Sequence, residues 1–402
     1  MAQHPEPGSR RQKFVLIGSL YMAQAIPVGF LVVAMPVILR LSGLSLERVG
    51  LFSAIALPWI FKFLWAPWLD RWGSVRRGHY RSWILPLQGL SVLTVASLAW
   101  WDLEHDLLVI VGLSAFYMVL SATQDIATDG LSVRILTAEE RGPGNGLQVA
   151  GYYLGQVFGS GGVLAIFALF GWAPAVLTMA AVLAIPMLLV GRFDEPPFER
   201  PDDAAPPSYG AMARFVGRAG GLWVFVLMLF RGGEAMATYV YNQMLVGRVD
   251  VVDIGVISGG LYAVGALIGA TWGGVRLVRI GRRNALVRFG IIQSAALSLY
   301  VLPAIGMGGT TLLYAAPAIV GFAGGLATAA LYTAMMDHSQ AATAGTDFTL
   351  QQALAAVGPL VGTIASGFVA GSMGFAGHFL ICGGLAALAA LVATQARLAT
   401  VG

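Results

Sequence analysis

Five charged side chains fall inside stretches that are otherwise apolar. They are Lys62 in FKFLWAPWLD, Asp125 and Asp129 in SATQDIATDG, and Arg231 and Glu234 in LMLFRGGEAMATY. Asp125 and Asp129 are four residues apart, so on a helix they share one face, and Ser121 extends it by a turn. Carboxylates placed this way can load and unload a proton, or can be held ionised by a cation. Lys62 is one of two lysines in the chain, against 22 arginines. Arg231 and Glu234, three apart, can pair with each other, or the planar fork of Arg231 can bind a carboxylate ligand. A lysine at position 231 would keep the charge and lose the fork, and so separates these two readings. The sequence has no HExxH, GxSxG or Walker pattern. His4, His79, His105, His338 and His378 form no i, i+3 or i, i+4 pair, and Cys382 is the single cysteine. No nucleophile–base set, metal or cofactor is expected, and an enzyme is not the reading.

The elements that carry these charges are set by composition. The 402 residues are 57% hydrophobic and 11% charged, with a mean hydropathy of +0.76. Soluble domains carry about 25% charged residues. This much apolar surface needs lipid as its solvent. Twelve apolar runs of bilayer-spanning length lie at approximately 13–39, 49–69, 83–101, 107–133, 145–170, 173–192, 220–246, 252–276, 285–305, 310–335, 346–371 and 374–396. Their length argues for helices, since barrel strands alternate over about ten residues. The first run is too long for a cleaved signal and is expected to remain as a span.

The net charge of +4 serves topology and gives no reason to expect nucleic acid as a partner. Arginines cluster before the first run and after the second, fourth, sixth and eighth, while the opposite loops hold only Arg40, Arg48 and Arg248. The positive-inside rule puts both termini in the cytoplasm. The polar, Pro-rich segment DEPPFERPDDAAPPSYG divides the chain into a tail 1–12, a six-helix bundle 13–192, a cytoplasmic linker 193–219 and a second six-helix bundle 220–402.

Counting 1.5 Å per helical residue from Asp70 and Arg134 places Lys62 about 12 Å and Asp125 about 13 Å from the inner boundary. Asp129 falls near 7 Å on that scale, without an obvious partner. Lys62 and Asp125 are therefore expected to be level. The residues leave two compatible roles open: an ion pair that fixes packing, and a carboxylate that exchanges a proton. Arg231 is roughly 16 Å into the seventh run, near mid-bilayer. GYYLGQVFG (151–159) is a small-xxx-small ridge expected to pack helices closely. Trp59, Trp65, Trp68 and Trp72 are expected as interfacial anchors.

Two internal echoes mark a repeat. Asp70, Arg71 and Gly73 in LDRWGSVRR are followed 208 residues on by Arg279 and Gly281 in VRIGRR, and GQVFG (155–159) is echoed by GPLVG (358–362). The doubled motif resembles the signature of the major facilitator superfamily, with Ala66 in place of its first Gly and the arginine pair displaced to Arg76 and Arg77. That resemblance implies an all-α membrane fold of about twelve helices in two six-helix bundles related by a parallel repeat. It also implies a solute site near the midplane and alternating access. Asp70, Arg71, Gly73, Arg279 and Gly281 would form the inside gate, and the chain would act as a monomer.

Helices 1 and 7 are equivalent in this superfamily, which pairs Gln24 with Arg231 across the cavity. Gln124, Glu234, Tyr117, Tyr152, Tyr239 and Tyr241 are further cavity candidates. Gln156 replaces the proline usual in its antiporters, which argues against efflux. FKFLWAPWLDR with SATQDIATDG resembles the AmpG and acetyl-CoA transporter branch. AGTDFTLQ (344–351) looks more like the RhtX/FptX siderophore permeases. The expectation is a bacterial inner-membrane importer of a bulky polar solute, a ferric siderophore, driven by protons. Anhydro-muropeptide import is the alternative and efflux the third reading.

Overall fold

The computed structural model describes residues 9–41, 52–74, 77–103, 105–197, 206–246, 248–250, 253–254 and 256–396. Most of the tail 1–12, Arg48, Arg76 and the linker stretch 198–205 lie outside the described residues. The described chain folds into long helices, because in lipid every backbone N–H and C=O must be satisfied within the segment. They are α1 (Arg10–Ala34), α2 (Ala54–Leu64), α3 (Arg81–Trp100), α4 (Leu107–Ile135), α5 (Ala138–Phe170), α6 (Trp172–Arg192), α7 (Gly221–Leu245), α8 (Tyr262–Ile280), α9 (Arg282–Ala304) and α10 (Gly309–His338). Ala344–Gln395 is two legs meeting at Gly374, whose φ of 70° and ψ of 173° are not helical. The legs before and after it are α11 and α12.

Ten described helices are long and apolar enough to cross a membrane, with the Ala341–Gln395 stretch counted once and the shorter α2 left out. Separating α11 from α12 and adding α2 recovers the twelve runs of the sequence. A helix Tyr209–Ala219 precedes α7.

Local sequence sets the ends. Ser9 accepts from the Gln12 N–H while the Gln12 side chain accepts from the Ser9 N–H, a reciprocal cap on α1. Gly171, with φ of 86°, supplies the turn between α5 and α6. Three helices are interrupted where polar residues sit. α1 contains Pro27 and a widened turn at Phe30–Ala34 just after Gln24. α2 tightens at Lys62–Leu64, breaks at Trp65 and resumes as Ala66–Arg71 with Pro67 in its first turn. α7 breaks at Arg231, whose φ of −102° and ψ of −4° separate Gly221–Phe230 from Gly232–Leu245. The depth count assumed an unbroken α2, and this interruption removes its basis for Lys62.

The chain divides into two compact units. The first is Met1–Leu136, Gly151–Tyr209 and Ala341–Thr349; the second is Thr137–Ala150, Gly210–Gln340 and Leu350–Gly402. The units are therefore not two contiguous halves: the start of α5 belongs to the second and the start of α11 to the first. The core of the first unit holds Phe30, Met35, Ile110, Tyr117, Met179 and Leu183. That of the second holds Tyr241, Tyr300, Phe379, Val240 and Leu297. In the first unit the Gly151–Gly155–Gly159 ridge lies against the carbonyls of Gly18, Met22 and Ile26 on α1, where a Cβ would collide. Close backbone approach is what that spacing does.

Candidate functional site

In the first unit the membrane charges converge. Lys62 Nζ bonds the Asp125 carboxylate and lies 3.9 Å from Asp129 Oδ2. All three side chains are buried, Asp129 to 0% exposure. The Lys62 ammonium also sits 5.0 Å from the centre of the Trp59 ring, a cation–π contact that gives one of the expected anchor tryptophans an internal role. Asp129 does have a strong partner: the Tyr21 hydroxyl on α1 donates to Asp129 Oδ1. One lysine thus faces two carboxylates, and a tyrosine hydroxyl holds the second. The sequence reading missed Tyr21, although it stands one turn before Gln24 on the same helix face.

Gln24 is enclosed in the same unit, with its Nε2 donating 2.9 Å to the Ser121 carbonyl. The Tyr117 hydroxyl reaches the Gln24 carbonyl at 3.4 Å. Gln124 donates to Gln88, and Gln88 donates to the Leu183 carbonyl at 2.5 Å. These three cavity candidates are buried and bonded within their own bundle, because an amide in an apolar interior must find partners. Tyr152 is 40% exposed and its hydroxyl accepts from Gln156 Nε2 at 2.9 Å.

The second unit carries a parallel arrangement. Glu234 on α7 is 3% exposed and has both oxygens engaged. Tyr262 on α8 donates to Oε1, and Gln293 Nε2 on α9 donates to Oε2 at 3.1 Å. Arg231 Nε lies 3.7 Å from Oε2, and the Arg231 side chain remains 32% exposed. On α10, Gly324 leaves room for the carboxylate: a Cβ there would overlap Oε1. Tyr241 is buried, stacked on Tyr300 with ring centres 4.0 Å apart, and donates to the Leu313 carbonyl at 2.7 Å. Tyr239 is 43% exposed. Tyr262 and Gln293 were legible only as polar residues inside apolar runs.

The motif after α2 is built around a buried carboxylate. Asp70 accepts from the Tyr80 hydroxyl at 2.5 Å and from the N–H groups of Gly345 and Thr346 at 3.2 and 2.7 Å. An acid at the first turn of α11 meets orphan donors and the positive end of the helix. Arg134 stacks over the Tyr80 ring at 4.4 Å and donates to the Ala341 carbonyl at 3.0 Å. Arg71 is exposed, and Gly73 lies against the His79 ring. Near its echo, Gly281 turns with φ of 82° and Arg279 is exposed. The neighbouring Arg282, with Arg141, grips Asp337 at 2.7 and 2.8 Å.

The chain's long apolar helices, with charged clusters on broken spans, define a multi-pass membrane protein. The Major Facilitator Superfamily profile matches residues 17–355, and the chain belongs to that family. It is 30% identical over 341 residues to an anhydromuropeptide permease of Escherichia coli K12, covering 82% of this chain and 69% of that protein. It is 22% identical to a putative transporter AmpG 1 of Rickettsia bellii, covering 84% and 86%. The fold matches the solved fucose:proton symporter FucP of Escherichia coli with a TM-score of 0.73 at 15% identity, over 96% of this chain and 99% of that one. These relatives lend nothing to the RhtX/FptX reading of AGTDFTLQ. In the structure that segment supplies the α11 N–H groups that receive Asp70.

Proposed function

We propose that the chain imports anhydro-muropeptides, amino sugars bearing a short peptide, across the bacterial inner membrane by proton-coupled alternating access. The similarity to the Escherichia coli anhydromuropeptide permease carries this reading, and it favours the alternative over siderophore import. The site chemistry agrees with it. A muropeptide presents free carboxylates, and Arg231 offers a partly exposed guanidinium at a helix break suited to bidentate recognition. Lys62, Asp125, Asp129 and Tyr21 form the candidate proton-coupling group, because intramembrane acids that face a cation commonly serve proton relays. Asp70, Tyr80 and the start of α11 form the candidate gate. The protein works as a monomer with both termini cytoplasmic.

The test is uptake of radiolabelled anhydro-muropeptide by cells lacking their own permease. Cells expressing this chain should accumulate label, and an uncoupler should abolish accumulation. Absence of uptake, together with rescue of ferric-siderophore uptake or with drug export in the same cells, would refute the reading.

A further inference from the structure

We infer that the crevice beside α2 binds one anionic phospholipid, with an acyl chain against its tryptophans and the headgroup phosphate on Arg71 and Arg77. The site lies within the first unit and does not depend on which solute the protein carries.

The crevice has a volume of about 520 Å³, inside the range of about 300–1,000 Å³ usual for ligand sites. It is lined by Trp65, Trp68, Trp72 and Trp83, with Val119 and Thr123 from α4, and it extends along α2 to Leu57. It runs past the break at Trp65, whose φ of −113° and ψ of 1° interrupt the helix. Trp68 and Trp72 are 55% and 59% exposed, so the crevice opens at the surface of the unit, where lipid is the solvent.

The polar atoms of the lining are already used. Trp65 Nε1 donates to Thr123 Oγ1 at 3.2 Å, and that hydroxyl donates to the Val119 carbonyl at 2.7 Å. Trp83 Nε1 donates to the Trp72 carbonyl. Beside the break, the Leu64 carbonyl accepts from the Tyr209 hydroxyl at 2.7 Å. A polar ligand would leave its own hydrogen bonds unmade here, which is costly, whereas hydrocarbon has none to lose. A helix of a second copy is about 10–12 Å across with its side chains, so it would bridge the crevice. An acyl chain is the narrower body that enters it.

The end at Trp72 is cationic. Arg71 precedes Trp72, and Arg77 sits in the Ser74–Gly78 turn on the way to Trp83. Both are exposed, and neither has a carboxylate partner among the described residues. The nearby acids are engaged elsewhere. Asp70 is buried and held by Tyr80 and by the N–H groups of Gly345 and Thr346, and Asp194 pairs with Arg81 at 3.5 Å. Indole rings beside arginines mark the membrane boundary, and the anion found at that depth is the lipid phosphate. A guanidinium binds phosphate through two parallel N–H donors. The crevice and the arginines thus match the two ends of one lipid.

Purified, delipidated protein is titrated in detergent with palmitoyl-oleoyl phosphatidylglycerol, or with phosphatidylcholine of the same chains, and followed by native mass spectrometry. Wild type should retain one phosphatidylglycerol, held at least about fivefold more tightly than phosphatidylcholine, the advantage of one arginine at a membrane surface. Inorganic phosphate in excess should not displace it, because phosphate lacks the chain. Arg71→Gln combined with Arg77→Gln should bring the two lipids level. Val119→Trp, which fills the crevice, should weaken both by about tenfold, the effect of leaving about two chain methylenes in water. Leu93→Trp, at an exposed position of α3 outside the crevice, should change neither, and it controls for folding and for added aromatic surface. Equal retention of the two lipids by wild type, displacement by phosphate alone, or equal losses in Val119→Trp and Leu93→Trp would overturn the inference. So would a dimer without bound lipid that Val119→Trp dissociates, which would assign the crevice to a second copy.

Discussion

Replacing Lys62 by Met should strand two buried carboxylates, and the size of the effect follows from their geometry. Lys62 Nζ bonds Asp125 and stands 3.9 Å from Asp129 Oδ2. At an effective dielectric constant of about 20, the longer contact alone is an attraction of about 4 kcal/mol. Much of that only offsets the desolvation of the three groups, so the pair adds little net stability when intact. Removing one partner is different, because it leaves the other charges buried without compensation. Such a break costs about 3–5 kcal/mol. Spread over a unit of some 200 residues, this lowers Tm by about 6–20 °C. Asp125→Asn alone should be milder, since Lys62 keeps Asp129 as a partner. In the double variant both the Lys62 and the Asp125 charges are gone, and Tyr21 still donates to Asp129. The double-mutant cycle should therefore show a coupling energy of about 2–3 kcal/mol, with the second change partly rescuing the first. The assay is thermal unfolding of purified protein in detergent, followed by intrinsic tryptophan fluorescence. Additivity within about 0.5 kcal/mol would show that Lys62 and Asp125 do not share one electrostatic site, and the coupling role proposed for the cluster would fall.

Two further predictions use contacts outside that cluster. Gly159→Ala should destabilise the first unit by about 1–3 kcal/mol, since its Cβ would overlap the Ile26 carbonyl. Gly161→Ala, which meets nothing within 4 Å, should be neutral or stabilising by up to about 1 kcal/mol, and equal effects on Tm would refute the packing role. Glu195, beyond the end of α6, accepts from the N–H groups of Tyr80 and Arg81 at 3.1 and 2.7 Å. Burial raises its pKa above the ordinary 4.5, and the two N–H bonds and Arg134 offset this in part. The native state then holds its proton more tightly than the unfolded chain, so its contribution to stability falls as pH rises through the window above 4.5. The Tm of Glu195→Gln relative to wild type should rise as pH goes from 4.5 toward neutrality, and a difference independent of pH would contradict the sign.

Much was legible in the residues themselves. Lipid as solvent permits long apolar runs only as helices, so composition and run length determined the fold class. The five intramembrane charges stood out because each is expensive where it lies, and the repeat of Arg71 and Gly73 at Arg279 and Gly281 pointed to the family. The partners were not legible. Tyr21, Tyr262 and Gln293 come from other helices, and a tyrosine or glutamine in an apolar run carries no mark of which carboxylate it will meet. The helix breaks at Trp65 and Arg231 were also hidden, because hydropathy is blind to a local change in φ and ψ. Gln24, Gln124, Tyr117 and Tyr241 looked from their side-chain chemistry like ligands for a solute. Tertiary packing encloses them, since a buried amide or hydroxyl must be satisfied by whatever carbonyl or side chain the neighbouring helix brings near. The sequence by itself determined that this protein spans a membrane many times and which charges it keeps there. Only the tertiary structure decided which charge faces which, because that depends on contacts between residues far apart in the chain, Tyr21 and Asp129 by 108 positions and Arg141 and Asp337 by 196.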